Sequence, residues 1–354
     1  MARIAILWTH WSGYMEACYQ ALRRQAGEEP FVCFEASDSS APFDPDGFSQ
    51  KLRFLVYKAP PNERTLIDTL ESFGPDLILI CSWHITAYRA VARKFHGRAI
   101  RVLGMDNQWL GSLRQVLGLL AFRTVWRDLY EVAFVPGVRQ AIFARLLGFN
   151  AAMIRFGLYA ADVREIQAVE VKRDRKDWLF IGRDAPEKGL DTLFEAYRSY
   201  RTSVENPWNL ILAGRIDRKD LGEGVILRGF IQPADLPELL SNVSALIVPS
   251  NFEPHGVVVQ EAAAAGAALI CSDAVGAADA FLRRGMNGLI YPNKSQEALC
   301  DAMIAVHGWS ESQFVTAHEI GKALSLQFTP EMWASELIEL AKTNFTSIDG
   351  LPNA

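Results

Sequence analysis

The stretch Trp178-Leu-Phe-Ile-Gly-Arg-Asp-Ala-Pro-Glu-Lys-Gly-Leu-Asp-Thr-Leu-Phe-Glu-Ala196 carries the pattern that decides the fold. Its first four residues are apolar, as in a buried strand, and Gly182 and a short polar loop follow them. A helix is predicted from about Gly189, where apolar residues take up helical spacing. A strand that passes through a glycine-containing loop into a helix begins a βαβ unit, so this stretch predicts a parallel sheet covered by helices.

The same alternation of short apolar runs and helix-compatible segments extends through most of the chain. The predicted strands are 4–8, 31–34, 54–57, 77–81, 102–105, 132–135 and 153–156 in the first half, and 178–181, 210–213, 225–227, 245–248, 269–271 and 289–291 in the second. The charged stretch 169–177 between the two sets is predicted to be a linker. We therefore expect an α/β protein with two Rossmann-like, doubly wound domains that face a central cleft, with ligands at the carboxyl ends of the strands.

The domain boundaries follow from these runs. Residues 1–165 are expected to form an amino-terminal, acceptor-side domain and 175–327 a carboxyl-terminal, donor-side domain. Residues 328–354 are expected to supply a terminal helix that returns to the first domain, since apolar residues recur at near-helical spacing between 331 and 342.

Composition excludes several classes of protein. Half of the 354 residues are apolar and 22% are charged, which is a globular mixture, and a net charge of -5 argues against a nucleic-acid partner. The five cysteines include no CxxC pair and are expected to be free thiols in a reducing compartment. The first residues read as a strand rather than a signal peptide, and no uninterrupted apolar run is long enough to span a membrane. A cytoplasmic protein is expected.

The loop after the first strand of the second half is suited to an anion. Gly182 lets the backbone approach a ligand, and Arg183 and Lys188 place two cations beside a strand end. The alternative is that both cations are ordinary solvated loop charges.

A second element, Ser250-Asn-Phe-Glu-Pro-His-Gly-Val-Val-Val-Gln-Glu-Ala-Ala-Ala-Ala-Gly266, follows another predicted strand. Gly256 helps to form a turn at which a helix begins, and the free N–H groups of a helix start favour an anion. Glu253 is placed to accept hydrogen bonds from sugar hydroxyls, and Glu261 from both hydroxyls of a ribose. The alternative is that Glu253 caps the helix and Glu261 is solvated, but Glu261 lies between a valine run and an alanine run, an unusual place for a solvated charge.

Taken in order, these residues resemble the retaining nucleotide-sugar glycosyltransferases of family 4, the glycosyl transferases group 1, which have the two-domain GT-B fold. The resemblance covers most of the chain and rests on Gly182-Arg183 with Lys188-Gly189, Gly229-Phe230, Glu253-x7-Glu261, and Asp273-x2-Gly276 through Gly285-x-Asn287-Gly288.

The resemblance implies a role for each motif residue. Arg183 and Lys188 would bind the donor diphosphate, Glu253 the donor sugar and Glu261 the ribose. The backbone amides of Gly256, Val257 and Val258 would meet donor hydroxyls or phosphate, and Phe230 would border the base. His255 would face the donor sugar, with a structural role in the turn at the helix start as the alternative. No metal and no cofactor are expected besides the donor, a UDP- or GDP-linked sugar. The expected catalytic set is Glu253, Arg183 and Lys188, together with Asp106.

In the amino-terminal half, the loop after the first strand retains only Gly13 of the glycine pair that is usual in the family. Trp11 and Tyr14 beside it would either stack on a sugar or cover the cleft. Asp106 stands at a strand end where many family members have a histidine, and Asn107, which follows it, is a candidate on the acceptor side, as are Trp11 and Tyr14.

His84, at another strand end, is a candidate on the acceptor side, with a structural role as the alternative. The expected activity is a metal-independent, retaining, hexosyltransferase-like transfer to a glycan, lipid-linked or small-molecule acceptor, in polysaccharide or glycoconjugate biosynthesis. The competing interpretations are a sugar-phosphate synthase or phosphorylase of the same fold, and a non-catalytic nucleotide-sugar-binding scaffold.

The segment 109–127 is apolar and interleaved with Arg114, Arg123 and Arg127. It is interpreted either as a helix packed on the sheet or as a peripheral contact with the inner face of a membrane.

Overall fold

The computed structural model describes residues 1–35, 54–57, 61–170, 176–219 and 221–343. All thirteen predicted apolar runs form strands in it, with ends within about two residues of the expected ones. The strands are β1 Ile4–His10, β2 Phe31–Glu35, β3 Phe54–Tyr57, β4 Leu77–Cys81, β5 Ile100–Gly104, β6 Val132–Val135, β7 Ile154–Phe156, β8 Asp177–Ile181, β9 Asn209–Ala213, β10 Val225–Gly229, β11 Ala245–Val248, β12 Ala268–Ser272 and β13 Gly288–Tyr291. Part of the predicted linker, residues 171–175, lies outside the described residues.

Helices alternate with these strands. They are α1 Gly13–Ala26, α2 Glu63–Phe73, α3 Thr86–Lys94, α4 Leu113–Ala121, α5 Val138–Leu146, α6 Val163–Ala168, α7 Leu190–Ser203, α8 Leu236–Ser241, α9 Val257–Ala264, α10 Ala278–Phe281, α11 Gln296–His307, α12 Glu311–Ser325 and α13 Pro330–Lys342. The chain contacts divide these elements into two compact units. The first contains the described residues up to Ala160 and those from Phe328 onward, and the second contains Ala161–Gln327.

The first unit is built on a parallel sheet in the order β3-β2-β1-β4-β5-β6-β7. Strands β4 and β5 are buried along their whole length, because helices cover both faces of the sheet and apolar side chains point to both sides. The strand order reverses between β1 and β4, and ligands of such sheets bind beyond the carboxyl ends of the strands at this point.

The second unit has a parallel sheet in the order β10-β9-β8-β11-β12-β13. Here the order reverses between β8 and β11, which pair directly although about sixty residues separate them in the chain. The loops that follow β8 and β11 are the two loops that the sequence predicts to bind an anion. Sheet topology therefore places both loops at the switch point of one sheet.

The terminal helix α13 belongs to the first unit. Thr329 caps its start, since the Thr329 side chain accepts a hydrogen bond from the amide of Met332. Pro330 occupies the first helical position, where no N–H is needed. Trp333 is buried and donates its indole N–H to the carbonyl of Leu158 at 3.1 Å. This helix thus completes the core on one face of the first sheet.

Candidate functional site

The loops after β8 and β11 are held together by Asn251. Its backbone N–H donates to the carbonyl of Glu187 at 2.7 Å, and its side-chain amide donates to the carbonyl of Pro186 at 2.9 Å. A Cβ added to Gly189 would lie 1.9 Å from the carbonyl oxygen of Pro249, so only glycine permits this approach. The sequence interpretation did not single out Asn251; its position in a loop between a strand and Glu253 was the available signal.

Lys188 and Glu253, one from each loop, form an ion pair. Both side chains are mostly buried, with 22% of Lys188 and 15% of Glu253 exposed, so solvent screens the pair only partly. Arg183 is more exposed and donates to Glu187 at 3.1 Å. The structure therefore brings Lys188 and Glu253 into direct contact, and leaves Arg183 on the solvent side of the same loop.

Helix α9 begins at this point. Gly256 has a φ of 95°, and a Cβ there would approach the side chain of Glu253 to 3.0 Å. The N-cap residue of α9 is Gly256, which has no side chain to cap the helix, and the carboxylate of Glu253 accepts a hydrogen bond from Lys188. Within the described residues, the amides of Val257 and Val258 donate to no acceptor. These two N–H groups can therefore receive an anion.

Two further backbone hydrogen bonds fix the residues around Glu253. The amide of Gly276 donates to the carbonyl of Glu253 at 2.9 Å, and the amide of Ala277 donates to the carbonyl of His255 at 2.8 Å. His255 is buried, and burial lowers its pKa to about 4. It is therefore neutral near pH 7 and adds no charge to the site.

Glu261 lies one turn further along α9 and is half-buried. Its carboxylate has no hydrogen-bond or ion-pair partner among the described residues, and burial alone raises the pKa of this carboxyl to about 7. Its neighbour Gln260 is fully engaged: it accepts from the amide of Ala161 at 2.9 Å and donates to the carbonyl of Ser325 at 2.8 Å. Gln260 thus has a structural role. The carboxylate oxygens of Glu261 accept no hydrogen bond within the part of the chain that the structure describes, and burying them in this state costs free energy.

Three strand ends of the second sheet meet around Gly182 and Gly214. A Cβ on Gly214 would lie 2.0 Å from the carbonyl oxygen of Gly182, and the Gly214 amide donates to the carbonyl of Gly229 at 2.7 Å. Gly182 is itself restricted by the ring of Phe180, 2.9 Å from where its Cβ would stand. Phe230 follows β10 directly and is half-buried at this edge.

The motif that ends in Asn287-Gly288 has a structural role. The side chain of Asn287 accepts from the amide of Arg283 at 2.6 Å and donates to the carbonyl of Phe281 at 2.9 Å. A Cβ on Gly288 would collide with the carbonyl of Leu269. These residues shape a turn and are not placed among the ligands.

In the first unit, Asp106 follows β5 and is held from two sides. The hydroxyl of Tyr159 donates to its carboxylate at 2.9 Å, and the buried side chain of Gln140 donates to its backbone carbonyl at 3.2 Å. The ring of Tyr14 lies 5.3 Å from that of Tyr159. Burial raises the pKa of both tyrosines, so both remain protonated. Tyr159 was not anticipated, since nothing local marks a tyrosine 53 residues away as a partner of Asp106.

The other candidates of the first unit differ in exposure. Trp11 is 4% exposed, packs against Phe34 at 5.2 Å and donates to Glu16 at 2.9 Å, so packing accounts for this side chain. Gly13 is the first residue of α1. His84 and Asn107 are exposed on the turns after β4 and β5.

Comparisons with known proteins agree with this architecture. Residues 162–310 match the family Glycosyl transferases group 1, which confirms the resemblance over the second unit. An uncharacterised glycosyltransferase of Methanocaldococcus jannaschii is 26% identical over 160 residues, which are 42% of this chain and 40% of that protein. The phosphatidyl-myo-inositol mannosyltransferase of Mycobacterium leprae is 30% identical over 213 residues, 55% of each chain. The matched regions thus span about half of the length of these relatives, or less.

A solved structure shares the fold over nearly its whole length. The Anabaena protein HepE in complex with UDP superposes with a TM-score of 0.72 at 17% identity, over 95% of this chain and 98% of that one. This confirms the GT-B class of fold. Among the described residues, no helix has the length and apolar character needed to cross a membrane.

Proposed function

We propose, on the premise of the confirmed resemblance to the glycosyl transferases group 1, that this protein transfers a hexose from a nucleotide-diphosphate sugar with retention of configuration. The observation that carries the proposal is the group of residues around the start of α9. A mostly buried cation lies on one of two loops that are tied to one another, and, in the described part of the chain, the helix that follows the second loop carries two free amides and an unpartnered, half-buried carboxylate.

Each part of this group suits one part of the donor. The amides of Val257 and Val258 and the Lys188 ammonium would bind the diphosphate, with Arg183 reaching it from the exposed side. Glu261 would accept the two ribose hydroxyls, which supply the partners that its carboxylate lacks. Phe230 would border the base.

The ion pair between Lys188 and Glu253 has a consequence for the reaction. The carboxylate of Glu253 holds the ammonium of Lys188 in place before the donor binds. Donor binding therefore does not have to order the lysine side chain. When a sugar is bound, Glu253 would accept hydrogen bonds from its hydroxyls while the ammonium of Lys188, still paired with Glu253, donates to the leaving phosphate. Preset cations that meet developing negative charge make the largest contribution to catalysis of this kind.

In the proposed reaction, the bond between the anomeric carbon and the diphosphate breaks while the acceptor hydroxyl attacks from the same face. The departing phosphate oxygen takes the hydroxyl proton, so the enzyme needs no nucleophile of its own. Asp106, oriented by Tyr159, would stabilise positive charge on the sugar or orient the acceptor. We propose a metal-independent reaction that serves polysaccharide or glycoconjugate synthesis; the related structure that holds UDP supports a nucleotide donor.

The first test is thermal unfolding of the full chain in the presence of UDP, GDP, ADP, CMP and their sugars, with a chelator present. A ligand at a hundred times its Kd adds about 2.7 kcal/mol of stability. We expect one nucleotide diphosphate to stabilise the wild type, and to stabilise the variants Glu261→Ala and Lys188→Ala much less.

Two matched variants serve as controls. Glu238→Ala and Lys342→Ala remove an exposed carboxylate and an exposed ammonium from α8 and α13, and we expect both to respond as the wild type does. If no nucleotide stabilises the wild type, the donor site is wrong. If one binds but no sugar is transferred or hydrolysed from it, the scaffold interpretation replaces the enzymatic one.

A further inference from the structure

Helix α4 turns its apolar side chains to solvent. Leu113 is 82% exposed and Leu117 68%, and Leu120, one turn further on, is exposed as well. No residue of this helix is buried. A surface helix of a globular protein normally buries such a stripe against its core, so the orientation of α4 is reversed.

Polar and aromatic anchors, rather than the apolar stripe, fix α4 in this orientation. The side chain of Gln115 donates to the carbonyl of Gln108 at 2.8 Å and accepts from the amide of Leu110 at 2.7 Å. After α4, Phe122 is fully buried, with its ring 4.7 Å from that of Trp83. The exposed leucines are therefore not required to attach the helix.

Helix α5 adds a second exposed apolar row. Val138, Ile142 and Leu146 lie on successive turns, and all three are exposed. The ring of Trp109, just before α4, packs at 5.5 Å on the ring of Phe143 in α5, so the residues that lead into α4 contact α5. Exposed apolar residues in such number on one part of a protein indicate a binding surface.

Three arginines accompany these rows. Arg114, Arg123 and Arg145 are exposed, and none forms an ion pair within the described residues. Between residues 107 and 161 the sequence has only two acidic residues, Asp128 and Glu131. The side chain of Glu131 is bound to a buried arginine. This part of the protein is therefore cationic, although the whole chain carries a net charge of -5.

We propose that this surface, formed by Leu113, Val116, Leu117, Leu120, Val138, Ile142 and Leu146 with Arg114, Arg123 and Arg145, binds an anionic phospholipid bilayer. The two helices would lie in the plane of the headgroups, with the apolar rows toward the acyl chains and the arginines at the phosphates. A second copy of the chain is a poorer occupant, because a two-fold contact would set the same unpaired arginines against each other. The proposal does not depend on the proposed function.

The test is co-sedimentation of the full chain with vesicles of phosphatidylcholine alone and of phosphatidylcholine mixed with phosphatidylglycerol. Binding is expected only to the mixed vesicles and should weaken as salt is added. The double variant Leu113→Gln/Leu117→Gln should bind at least about tenfold more weakly. The triple variant Arg114→Gln/Arg123→Gln/Arg145→Gln should lose on the order of 100-fold in affinity.

Matched controls make the same chemical changes elsewhere. Val315→Gln/Leu326→Gln removes two exposed apolar side chains of the second unit, and Arg23→Gln/Arg64→Gln/Arg93→Gln removes three exposed charges of the first. Both should bind as the wild type does. The proposal is overturned if the wild type ignores phosphatidylglycerol or if the leucine variant binds normally. A lipid-free dimer in sedimentation velocity that the leucine variant abolishes would assign the surface to a second copy instead.

Discussion

If Glu261 binds the donor ribose as proposed, its ionisation couples donor binding to pH. Burial raises the pKa of this carboxyl to about 7 in the unliganded protein, from an ordinary value of 4.5. Only the ionised form accepts hydrogen bonds from both ribose hydroxyls, so a bound donor favours ionisation and lowers the pKa. Donor affinity should therefore rise with pH up to about 7 and level off above it.

The expected size follows from the protonated fraction. If Glu261 must be ionised for the donor to bind, a pKa of about 7 means that the ionised fraction falls about tenfold from pH 8 to pH 6. Donor affinity should fall by the same factor. His255 does not contribute to this change, because burial lowers its pKa to about 4.

The same carboxyl makes the free energy of unfolding fall as pH rises, whereas donor affinity should rise. Because its pKa is raised in the folded state, it contributes stability that is present below its ordinary pKa of 4.5 and lost as pH rises through about 7. The variant Glu261→Gln does not have this loss. Allowing for the partial exposure of the side chain, it should be more stable than the wild type by about 2 kcal/mol at pH 8, and equally stable at pH 4.

The assay is titration calorimetry with the nucleotide sugar that stabilises the protein most, at pH 6, 7 and 8. A nucleotide sugar is preferred to a free nucleoside diphosphate, because a terminal phosphate itself titrates near pH 6. Urea unfolding of both proteins at pH 4 and pH 8 measures the stability term.

Two results would refute this reasoning. If Glu261→Gln binds the donor as tightly as the wild type at pH 8, the carboxylate is not a ribose ligand. If the variant keeps the pH profile of the wild type, another group titrates with binding. Glu238→Gln, an exposed carboxylate on α8, should change neither quantity.

Three further predictions concern the loops and the first unit. Lys188→Ala should lower kcat/KM on the order of 100-fold in a transfer assay, because Glu253 loses its partner and the leaving phosphate its cation, whereas Lys342→Ala should not. Gly97 has a φ of +68° and open space around it, so Gly97→Ala should lower the free energy of unfolding in urea by about 1 kcal/mol. Gly189 has a φ of +69°, and an added Cβ would lie 1.9 Å from a carbonyl oxygen, so Gly189→Ala should cost at least about 2 kcal/mol more. Equal losses would contradict the close approach of the two loops. Asp106→Asn should lower kcat more than it raises the KM of the donor in steady-state kinetics; a change in KM alone would make it a binding residue.

Much of the fold could be read from local patterns. The apolar runs of central strands such as β4 and β5 could be predicted because a strand that is buried on both faces of a parallel sheet must be apolar throughout, whereas β10 is a largely exposed edge strand. The start of α9 was also visible, since a glycine with positive φ before an apolar helix is a local feature. Motif residues on such elements could be named for the same reason.

The partners of those residues could not be read locally. Lys188 meets Glu253 because β8 and β11 are neighbours in the sheet, and strand order depends on the packing of the whole unit. Tyr159 reaches Asp106 from the residues after β7, two strands away from β5. Asn251 ties two loops whose proximity no spacing in the sequence announces.

The segment 109–127 shows the same division. Its sequence predicted apolar residues interleaved with arginines and left two interpretations open, a helix packed on the sheet or a peripheral contact with a membrane. Periodicity establishes that a helix has an apolar face, but not what that face meets. The tertiary structure shows that the apolar face is exposed. Gln115 and Phe122 hold the segment on the first unit, and Leu113 and Leu117 stay in solvent. The sequence by itself determined the elements and their chemistry; strand order and side-chain anchoring, which are properties of the whole unit, determined which groups meet and which remain free.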